Sequence, residues 1–264
     1  MKRILLPILL LASCLLASAQ GGNPVAITAH RGHWTASAAG RAQNSIAALR
    51  EAQRFGCWGS ELDVHLSADN IVVVNHDRTR GLRDIQKTGY GQLRNLLLSN
   101  GEALPTLCEY LAQALVSDKT VLVLELKPQY SQEREDILVE RSIEALKMYN
   151  LFDPAKVMFI SFSHHICRRL VEAAPGFTNQ YLNGDVRPEE LHREGINGID
   201  YHYGVFDKHP DWVEEAHRCG MSVNVWTVDK EEDIRRMIDL GVDCITTNDP
   251  PLVRQILGAR EQRL

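Results

Sequence analysis

The sequence predicts a single α/β domain, a (β/α)8 TIM-type barrel with a hairpin extension after the second strand. Short β-branched runs alternate with amphipathic segments, which is the order of a parallel sheet whose strands are joined by helices. Eight such units need about 250 residues, and the chain has 264. The structural alternative is an open doubly wound sheet, but the Gly-x-Gly-x-x-Gly turn expected after its first strand is missing.

The strands and helices are predicted from the hydrophobic pattern. Runs rich in Val, Ile, Leu and Thr have the length of buried strands, and the segments between them repeat apolar residues with the helical period. The predicted strands are 25–29, 60–66, 120–126, 157–161, 179–182, 198–201, 222–228 and 244–247. The predicted helices are 45–55, 106–115, 133–149, 164–173, 188–193, 211–219, 231–240 and 251–259.

The second strand has the most informative pattern. Glu61 and Asp63 alternate with apolar residues, so both carboxylates should point to one face. The turn-prone pair Asp69-Asn70 is followed by a second apolar run, which predicts a two-residue hairpin. A turn centred on this pair would place His76 opposite Asp63, with the Cβ atoms about 5 Å apart. This arrangement indicates a metal-assisted acid/base site, although an alternating acidic strand is also typical of a solvated sheet face.

The first 19 residues have the pattern of an export signal. Two basic residues precede an apolar run that ends in Ala17-Ser18-Ala19, a small-x-small cleavage pattern. The run is shorter than the about 20 apolar residues that a membrane-spanning helix needs. We therefore expect a signal peptide over residues 1–19 and a barrel domain over residues 20–264 that is exported to the periplasm or secreted.

A lipid anchor is the alternative for the same segment. Residues 11–14 read Leu-Ala-Ser-Cys, which resembles the lipobox of bacterial lipoproteins and would put a lipid on Cys14. Because apolar residues continue past Cys14, as in an ordinary signal, we expect cleavage after Ala19 instead.

Composition excludes some classes of partner and site. Without the leader, 27 of the 29 basic residues remain against 34 acidic ones, a formal net charge of −7 with no polybasic tract. Nucleic acid and anionic membrane are therefore not expected as partners. The five cysteines beyond the leader are scattered and contain no C-x-x-C pair, so we expect neither a disulfide framework nor a zinc site. The sequence gives no indication of the oligomeric state.

An ordered set of motifs at the predicted strand ends resembles the glycerophosphodiester phosphodiesterase family. The set comprises His30-Arg31-Gly32, Glu61-Leu62-Asp63-Val64, His76-Asp77, Glu125-Leu126-Lys127-Pro128 and Val225-Trp226-Thr227. Each motif alone is weak, but together they span nearly the whole chain beyond the leader in the order of that family. The resemblance implies a TIM-type barrel, one divalent cation, Mg²⁺ or Ca²⁺, and hydrolysis of a glycerophosphodiester substrate to glycerol 3-phosphate and an alcohol.

The resemblance also implies roles for five residues. Glu61, Asp63 and Glu125 match the metal ligands of the family, and His30 and His76 match its general acid/base pair. The chemistry agrees, because three carboxylates supply oxygen ligands suited to Mg²⁺ or Ca²⁺, whereas zinc prefers nitrogen and sulfur. In the implied mechanism, the glycerol 2-hydroxyl attacks phosphorus while one histidine accepts its proton and the other protonates the departing alcohol. The sequence leaves open which histidine is the base.

Three more residues match substrate-binding positions. Arg31 offers a guanidinium fork to phosphate oxygens and Lys127 offers a point charge. Trp226 is expected to line the glycerol pocket, with a barrel-core aromatic as the alternative. The chain departs from the family at Gln43, where members usually carry the Glu of Pro-Glu-Asn-Thr. Because Gln43 keeps hydrogen-bonding capacity without the charge, the role of that acid beside Arg31 or the metal is open.

Two other functions fit parts of the pattern. A phospholipase D, sphingomyelinase D or phospholipase C type of enzyme would act on lipids with a similar barrel, but the sequence shows no strongly apolar rim loop. The alcohol of the substrate is not encoded in any motif. A non-catalytic exported phosphodiester-binding protein would have lost turnover, and the presence of all five matched metal and acid/base residues argues against it.

Overall fold

The parallel strands join edge to edge into a ring. The structure is a computed structural model that describes residues 25–261, so the predicted signal peptide, its cleavage site and Cys14 lie outside the described residues. The strands are β1 Ala26–Ala29, β2 Gly59–Leu66, β3 Val72–Val74, β4 Thr79–Arg80, β5 Arg83–Asp84, β6 Val121–Leu126, β7 Val157–Ser161, β8 Asn179–Tyr181, β9 Gly198–His202, β10 Ser222–Trp226 and β11 Cys244–Thr247.

The pairing of these strands establishes the fold class. The order around the sheet is β1-β11-β10-β9-β8-β7-β6-β2, with the antiparallel β3 added to β2. Strand β1 pairs in parallel with both β11 and β2, so the sheet closes and has no free edge among its parallel strands. The predicted (β/α)8 barrel with a hairpin after its second strand is confirmed, and the open doubly wound sheet is excluded.

Helices follow the parallel strands and cover the outside of the barrel. They are α1 Ile46–Phe55, α2 Tyr90–Leu93, α3 Leu107–Ala114, α4 Gln132–Met148, α5 His164–Ala173, α6 Pro188–Arg193, α7 Tyr203–Phe206, α8 Asp211–Arg218, α9 Glu231–Leu240 and α10 Pro250–Glu261. Local signals set their ends. The Ser45 side chain accepts a hydrogen bond from Ala48 N at the start of α1, and Thr106 and Glu109 form a capping box at the start of α3.

Successive side chains of each strand point alternately to the helix layer and to the barrel interior, so the apolar core and the polar interior are formed by alternate residues. On β9, Ile199 and Tyr201 are fully buried in the apolar layer between the sheet and the helices. The alternate positions Gly198, Asp200 and His202 must then face the barrel interior. The same rule places polar side chains of several strands inside the upper half of the barrel, which is where an active site can form.

The hairpin register differs from the predicted one by one residue. Strand β2 pairs with β3 through Val64 and Val74, and Asn75 N donates to Asp63 O at 2.9 Å. The prediction that His76 lies opposite Asp63 is therefore wrong. The turn has three residues rather than two, because Asn70 adopts a left-handed backbone with φ 60, and this extra residue shifts the return strand.

Two further observations concern the described residues as a whole. No helix within residues 25–261 combines the length and apolarity that crossing a membrane requires. The five described cysteines are free thiols, at positions Cys57, Cys108, Cys167, Cys219 and Cys244.

Candidate active site

Three buried carboxylates lie at the carboxyl ends of β2 and β6. Glu61 and Asp63 alternate along β2, and the parallel register pairs Asp63 with Glu125 of β6, so all three side chains share the interior face. One oxygen from each lies within 4.8 Å of the other two. The residues are 3%, 1% and 6% exposed. The fold therefore brings the three predicted metal ligands together.

Nearby donors orient two of these carboxylates. Arg31 N donates to Glu61 Oε2 at 2.6 Å, and Asn44 Nδ2 donates to Asp63 Oδ2 at 2.7 Å. Asn44 Oδ1 in turn accepts from Asp63 N at 3.1 Å. Glu61 Oε1 is buried without a hydrogen-bond partner among the described residues. A buried acceptor in this state needs a ligand, since buried polar groups are normally satisfied.

Lys127 contacts two of the three carboxylates, Asp63 and Glu125. Its Nζ lies 2.8 Å from Asp63 Oδ1 and 2.7 Å from Glu125 Oε1, and the residue is buried. Burial opposes the charge of this ammonium, but the two carboxylates raise the pKa of Lys127 above its usual range. Lys127 is therefore charged and offsets part of the negative charge of the cluster. Its contact with a phosphate stays a prediction.

Burial and mutual repulsion set the protonation of the three acids. Burial raises the pKa of Glu61 well above its ordinary value, and the neighbouring carboxylates add to the shift. Burial, assisted by Asp63, raises the pKa of Glu125 to about 8. Burial also opposes ionisation of Asp63, but Lys127 and His76 hold the pKa of Asp63 below its usual range. Without a cation, the cluster therefore combines an ionised Asp63 with a Glu125 that is mostly protonated at neutral pH, and the pKa of Glu61 is shifted in the same upward direction.

The donor set of this cluster fits a divalent cation. Three carboxylates are hard oxygen donors of the kind that Mg²⁺ and Ca²⁺ prefer, and the unpartnered Glu61 Oε1 is available to one. A set without nitrogen or sulfur does not suit zinc. The cluster can therefore hold a metal ion through Glu61, Asp63 and Glu125. Binding of a cation explains why three acidic side chains are buried next to one another, since buried charges are normally paired.

The hydrogen bonds of His30 fix its tautomer. His30 Nδ1 lies 3.0 Å from Asn248 Oδ1, and the same oxygen accepts from Trp34 Nε1 at 2.9 Å. The other end of this amide, Nδ2, donates to Asp229 Oδ2 at 2.8 Å, so His30 Nδ1 must be the donor and Nε2 keeps its lone pair. Burial first and Arg31 second lower the pKa of His30 to about 4. His30 is therefore a neutral imidazole at pH 7.

His76 follows the hairpin strand β3 and is the more exposed of the two histidines that line the cavity. Its side chain is 37% exposed, and its Nδ1 lies 2.7 Å from Asp77 Oδ1. The carbonyl of His76 accepts from His65 Nε2 at 3.1 Å, which holds the backbone at this point. Burial first, with Lys127 and Arg31, lowers the pKa of His76 below its usual value, and the carboxylates of Asp63 and Asp77 offset only part of this shift. His76 therefore has, in Asp77, a hydrogen-bonded carboxylate that favours its protonated form against the effect of burial, and His30 has no such carboxylate partner.

A tight turn after β1 directs the Arg31 side chain towards both the carboxylate cluster and Gln43. Arg31 and Gly32 have positive φ values of 55 and 75. A Cβ on Gly32 would lie 2.7 Å from the backbone carbon of Ala48, so only glycine fits there. Arg31 Nη1 donates to Gln43 Oε1 at 2.7 Å. The position that departs from the family pattern thus keeps contact with Arg31, but as a neutral partner.

One cavity of about 100 Å³ joins these groups. Its polar wall consists of His30, Arg31, Glu61, His76 and Glu125, and its apolar wall of Ile160, Phe162, Leu182 and Trp226. The remaining side, formed by Asp200 of β9 and Thr246 of β11, is called its floor below. The ring centroids of Trp226 and Phe162 lie 5.6 Å apart in an edge-on contact, and Trp226 Nε1 donates to the carbonyl of Asp200 at 2.9 Å. Of the eight predicted site residues, six line this cavity, and Asp63 and Lys127 contact its wall through Glu125.

Three residues of the site were not predicted. Asn44 holds Asp63, whereas the neighbouring Ser45 caps α1. Asn248 orients His30, and its position directly after the eighth strand was a usable signal. Asp200 is an acid at an inward position of a buried strand, a pattern that could have been noticed once the strand parity was known.

Comparison with known proteins agrees with this geometry. The sequence model of the Glycerophosphoryl diester phosphodiesterase family matches residues 30–252. A glycerophosphodiester phosphodiesterase of Caldanaerobacter subterraneus is 32% identical over 231 residues, which cover 79% of this chain and 89% of the relative.

Solved structures give the same result. A glycerophosphodiester phosphodiesterase from Parabacteroides distasonis is 42% identical, with a TM-score of 0.88 over 92% of this chain and 100% of the other. A phosphodiesterase from Oleispira antarctica, solved with its product sn-glycerol-3-phosphate, is 25% identical, with a TM-score of 0.76 over 88% of this chain and 96% of the other. This chain therefore belongs to the glycerophosphoryl diester phosphodiesterase family.

Proposed function

We propose that this protein hydrolyses glycerophosphodiesters to glycerol 3-phosphate and an alcohol with one divalent cation, Mg²⁺ or Ca²⁺. The observation that carries the proposal is the placement of His30 and His76 on the same cavity as a cluster of three buried carboxylates. The product bound to the Oleispira relative, sn-glycerol-3-phosphate, supports this chemistry. We assign Glu61, Asp63 and Glu125 as the cation ligands.

Charge complementarity supports an anionic substrate. Arg31 lines the cavity. Its Nη1 donates to the neutral amide of Gln43 and its Nε lies 3.7 Å from Asp63 Oδ2, so a guanidinium paired with Asp63 at one edge still offers positive charge to phosphate oxygens. A cation at the carboxylate cluster would withdraw charge from the phosphate and lower the pKa of a hydroxyl beside it. Attack on phosphorus needs this neutralisation, because a phosphodiester anion repels an approaching oxygen.

We assign His30 as the base of the first step. Its Nδ1 proton is committed to Asn248, and its Nε2 lone pair is free to accept a proton. Its lowered pKa of about 4 keeps it neutral at the pH where the enzyme would work. His30 therefore accepts the proton of the glycerol 2-hydroxyl while that oxygen attacks phosphorus.

We assign His76 as the acid of the same step. Asp77 accepts from its Nδ1 and stabilises the imidazolium form. As the bond between phosphorus and the alcohol oxygen breaks, His76 protonates the departing oxygen and a five-membered cyclic phosphate forms. Water then attacks phosphorus with the roles reversed: His76 accepts the proton of water, and His30 returns its proton to the 2-oxygen.

A lipid-acting phosphodiesterase is a second candidate, and one surface favours it. Leu82, at the tip of the β4–β5 hairpin, is fully exposed, and Leu97 is 60% exposed. Arg80 of the hairpin donates to Leu97 O at 2.8 Å, so the two leucines belong to one surface. Apolar and basic side chains together are typical of segments that contact lipid.

Export belongs to the proposal as well. We propose that residues 1–19 are a signal peptide and that the barrel domain, residues 20–264, is periplasmic or secreted, with a lipid on Cys14 as the alternative. Mass spectrometry of the protein from its native host separates the two. A mature chain that starts at Gln20 supports cleavage, whereas a diacylated N-terminal Cys14 contradicts it.

The function is tested with purified protein stripped of metal by a chelator. We expect release of glycerol 3-phosphate from glycerophosphocholine, glycerophosphoethanolamine or glycerophosphoinositol only after addition of Mg²⁺ or Ca²⁺, and no release by His30→Ala or His76→Ala. His192→Ala, an exposed histidine outside the cavity, is the matched control. Binding of the diesters without release would favour the non-catalytic binding protein, and preferential cleavage of lysophosphatidylcholine would favour the lipid-acting enzyme.

A further inference from the structure

The floor of the cavity contains a carboxyl group that the mechanism does not use. Asp200 lies on β9, is 1% exposed, and lines the same cavity as His30 and Trp226. Its side-chain Oδ1 has no hydrogen-bond partner among the described residues. Burial raises the pKa of Asp200 to about 8, so the group is a neutral carboxylic acid at pH 7 and can both donate and accept a hydrogen bond.

Two neighbouring strands present further unpartnered polar atoms to the same interior. Asn224 of β10 is the register partner of Asp200, and it shares the inward face with Trp226, two residues further on. Its Nδ2 and the Oγ1 of Thr246 on β11 are buried without partners. Both residues are nearly inaccessible, at 3% and 2% exposed. Native proteins satisfy nearly all such atoms, so this group of atoms indicates a polar ligand or ordered water at the floor.

The strand order places this floor across the barrel from the catalytic groups. Strand β9 lies four places from β2 in either direction around the ring, so Asp200 is diametrically opposite Glu61. The apolar wall residues of the same cavity flank β9 in the ring, with Trp226 on β10 to one side and Phe162 directly after β7 to the other. A substrate whose phosphate lies at the carboxylate side would therefore extend a short carbon chain along this wall and end at Asp200.

We propose that Asp200 is a specificity-determining residue that hydrogen-bonds the terminal hydroxyl of the glycerol moiety, the hydroxyl farthest from phosphorus. The inference rests on the proposed function, which places the phosphodiester in this cavity. A cavity of about 100 Å³ has room for a glycerol-sized group, and the buried Asp200 and Thr246 line it on the side away from the carboxylate cluster. The variable alcohol must then leave through the mouth, and a glycerol that is acylated on its terminal hydroxyl cannot reach the floor.

Calorimetry with two phosphate monoesters tests this assignment without turnover. The probes are glycerol 3-phosphate and propane-1,2-diol 1-phosphate, which lacks only the terminal hydroxyl. We expect the wild-type protein to prefer glycerol 3-phosphate by about tenfold, the discrimination that a buried hydrogen bond to a hydroxyl provides. Asp200→Leu should bind both ligands equally, and Asp200→Asn, which can still donate and accept, should keep part of the preference.

Thermal unfolding separates recognition from a structural role. Asp200→Leu removes a buried carboxyl without a partner, so its melting temperature should stay the same or rise. A structural role for Asp200 would lower the melting temperature and leave the preference between the two ligands intact. Asp118→Asn, an exposed acid in the loop before β6, is the control and should change neither measurement.

The possible outcomes distinguish this inference from the proposed function. The assignment of Asp200 is wrong if the wild-type protein shows no preference, if it binds neither ligand, or if the preference survives in Asp200→Leu. In each of these cases, release of glycerol 3-phosphate from diesters would still support the proposed function. If the preference exists and Asp200→Leu abolishes it, the assignment stands. It stands even where no diester is hydrolysed, a result that would contradict the proposed function alone.

Discussion

Asn44 and Asp63 form two hydrogen bonds with each other. Asn44 Nδ2 donates to Asp63 Oδ2 at 2.7 Å, and Asp63 N donates to Asn44 Oδ1 at 3.1 Å. This reciprocal contact fixes the rotamer of a carboxylate that we assign to the cation. Asn44 also has a left-handed backbone with φ 56, a conformation that asparagine tolerates better than most residues.

Asn44→Ala should weaken cation binding. Without the amide, Asp63 loses its orienting donor, and partners of this kind typically contribute about 10- to 100-fold in metal affinity or activity. Titration of the metal-stripped protein with Mg²⁺ or Ca²⁺ by calorimetry measures the change. Asn95→Ala, on the exposed side of the segment after α2, is the control. Equal affinity in wild type and Asn44→Ala would remove Asp63 from the ligand set.

Gln43→Glu should weaken the binding of anionic ligands. A glutamate would replace the neutral hydrogen bond to Arg31 by an ion pair, so less positive charge would face the phosphate. We expect the affinity for glycerol 3-phosphate to fall about three- to tenfold, as measured by calorimetry. Gln92→Glu is a matched control, since Gln92 accepts from Arg83 Nη1 at 2.9 Å in an exposed pair outside the cavity. Tighter binding by Gln43→Glu would contradict this interpretation of Arg31.

Cation binding should release a proton at pH 7. Burial raises the pKa of Glu125 to about 8 and the pKa of Glu61 well above its ordinary value, so the metal-free cluster holds protons that a cation must displace. Affinity should therefore increase with pH, about tenfold per unit for each proton released. Calorimetry at one pH in buffers of different ionisation enthalpy counts these protons. A binding enthalpy that is independent of the buffer would contradict the raised pKa values.

Asp77→Asn should shift the pH dependence of the reaction to lower pH. The carboxylate of Asp77 accepts from His76 Nδ1 and favours the protonated form, so its removal lowers the pKa of His76. Because the acid of the first step must be protonated, kcat should fall about three- to tenfold at pH 7 and recover as the pH decreases. The pH–rate profile measures this shift. Asp136→Asn, which changes a similar pair with His165 on the helices outside the barrel, should leave the profile unchanged.

The hydrophobic period predicted the architecture well because barrel strands are buried on both faces and their helices are amphipathic. The predicted strands 157–161 and 244–247 coincide with β7 and β11, and the predicted helices 164–173 and 231–240 coincide with α5 and α9. The predicted carboxylates converge because the carboxyl ends of parallel strands meet at one end of a barrel.

The hairpin register was predicted wrongly, and the roles of Asp200 and Asn44 were not predicted, because all three depend on backbone conformation and on contacts between distant residues, which the hydrophobic pattern of the sequence does not show. A turn-prone Asp69-Asn70 pair fits loops of two or three residues, and only the left-handed backbone of Asn70 decides the register of the return strand. Whether Asp200 faces the helices or the cavity depends on the strand parity, which closure of the barrel sets. The contact of Asn44 with Asp63 joins two segments that the first helix separates, and no local spacing indicates it.

The most direct test of the proposed metal site compares wild type and Glu125→Gln in one titration. The initial rate of glycerol 3-phosphate release from glycerophosphocholine is followed while metal-stripped protein is titrated with Mg²⁺ or Ca²⁺. We predict no release without cation, a saturable increase for wild type, and a half-maximal cation concentration at least about tenfold higher for Glu125→Gln, because one ligand has lost its charge. Release without any cation, or identical titrations for the two proteins, would contradict the assignment of the three carboxylates.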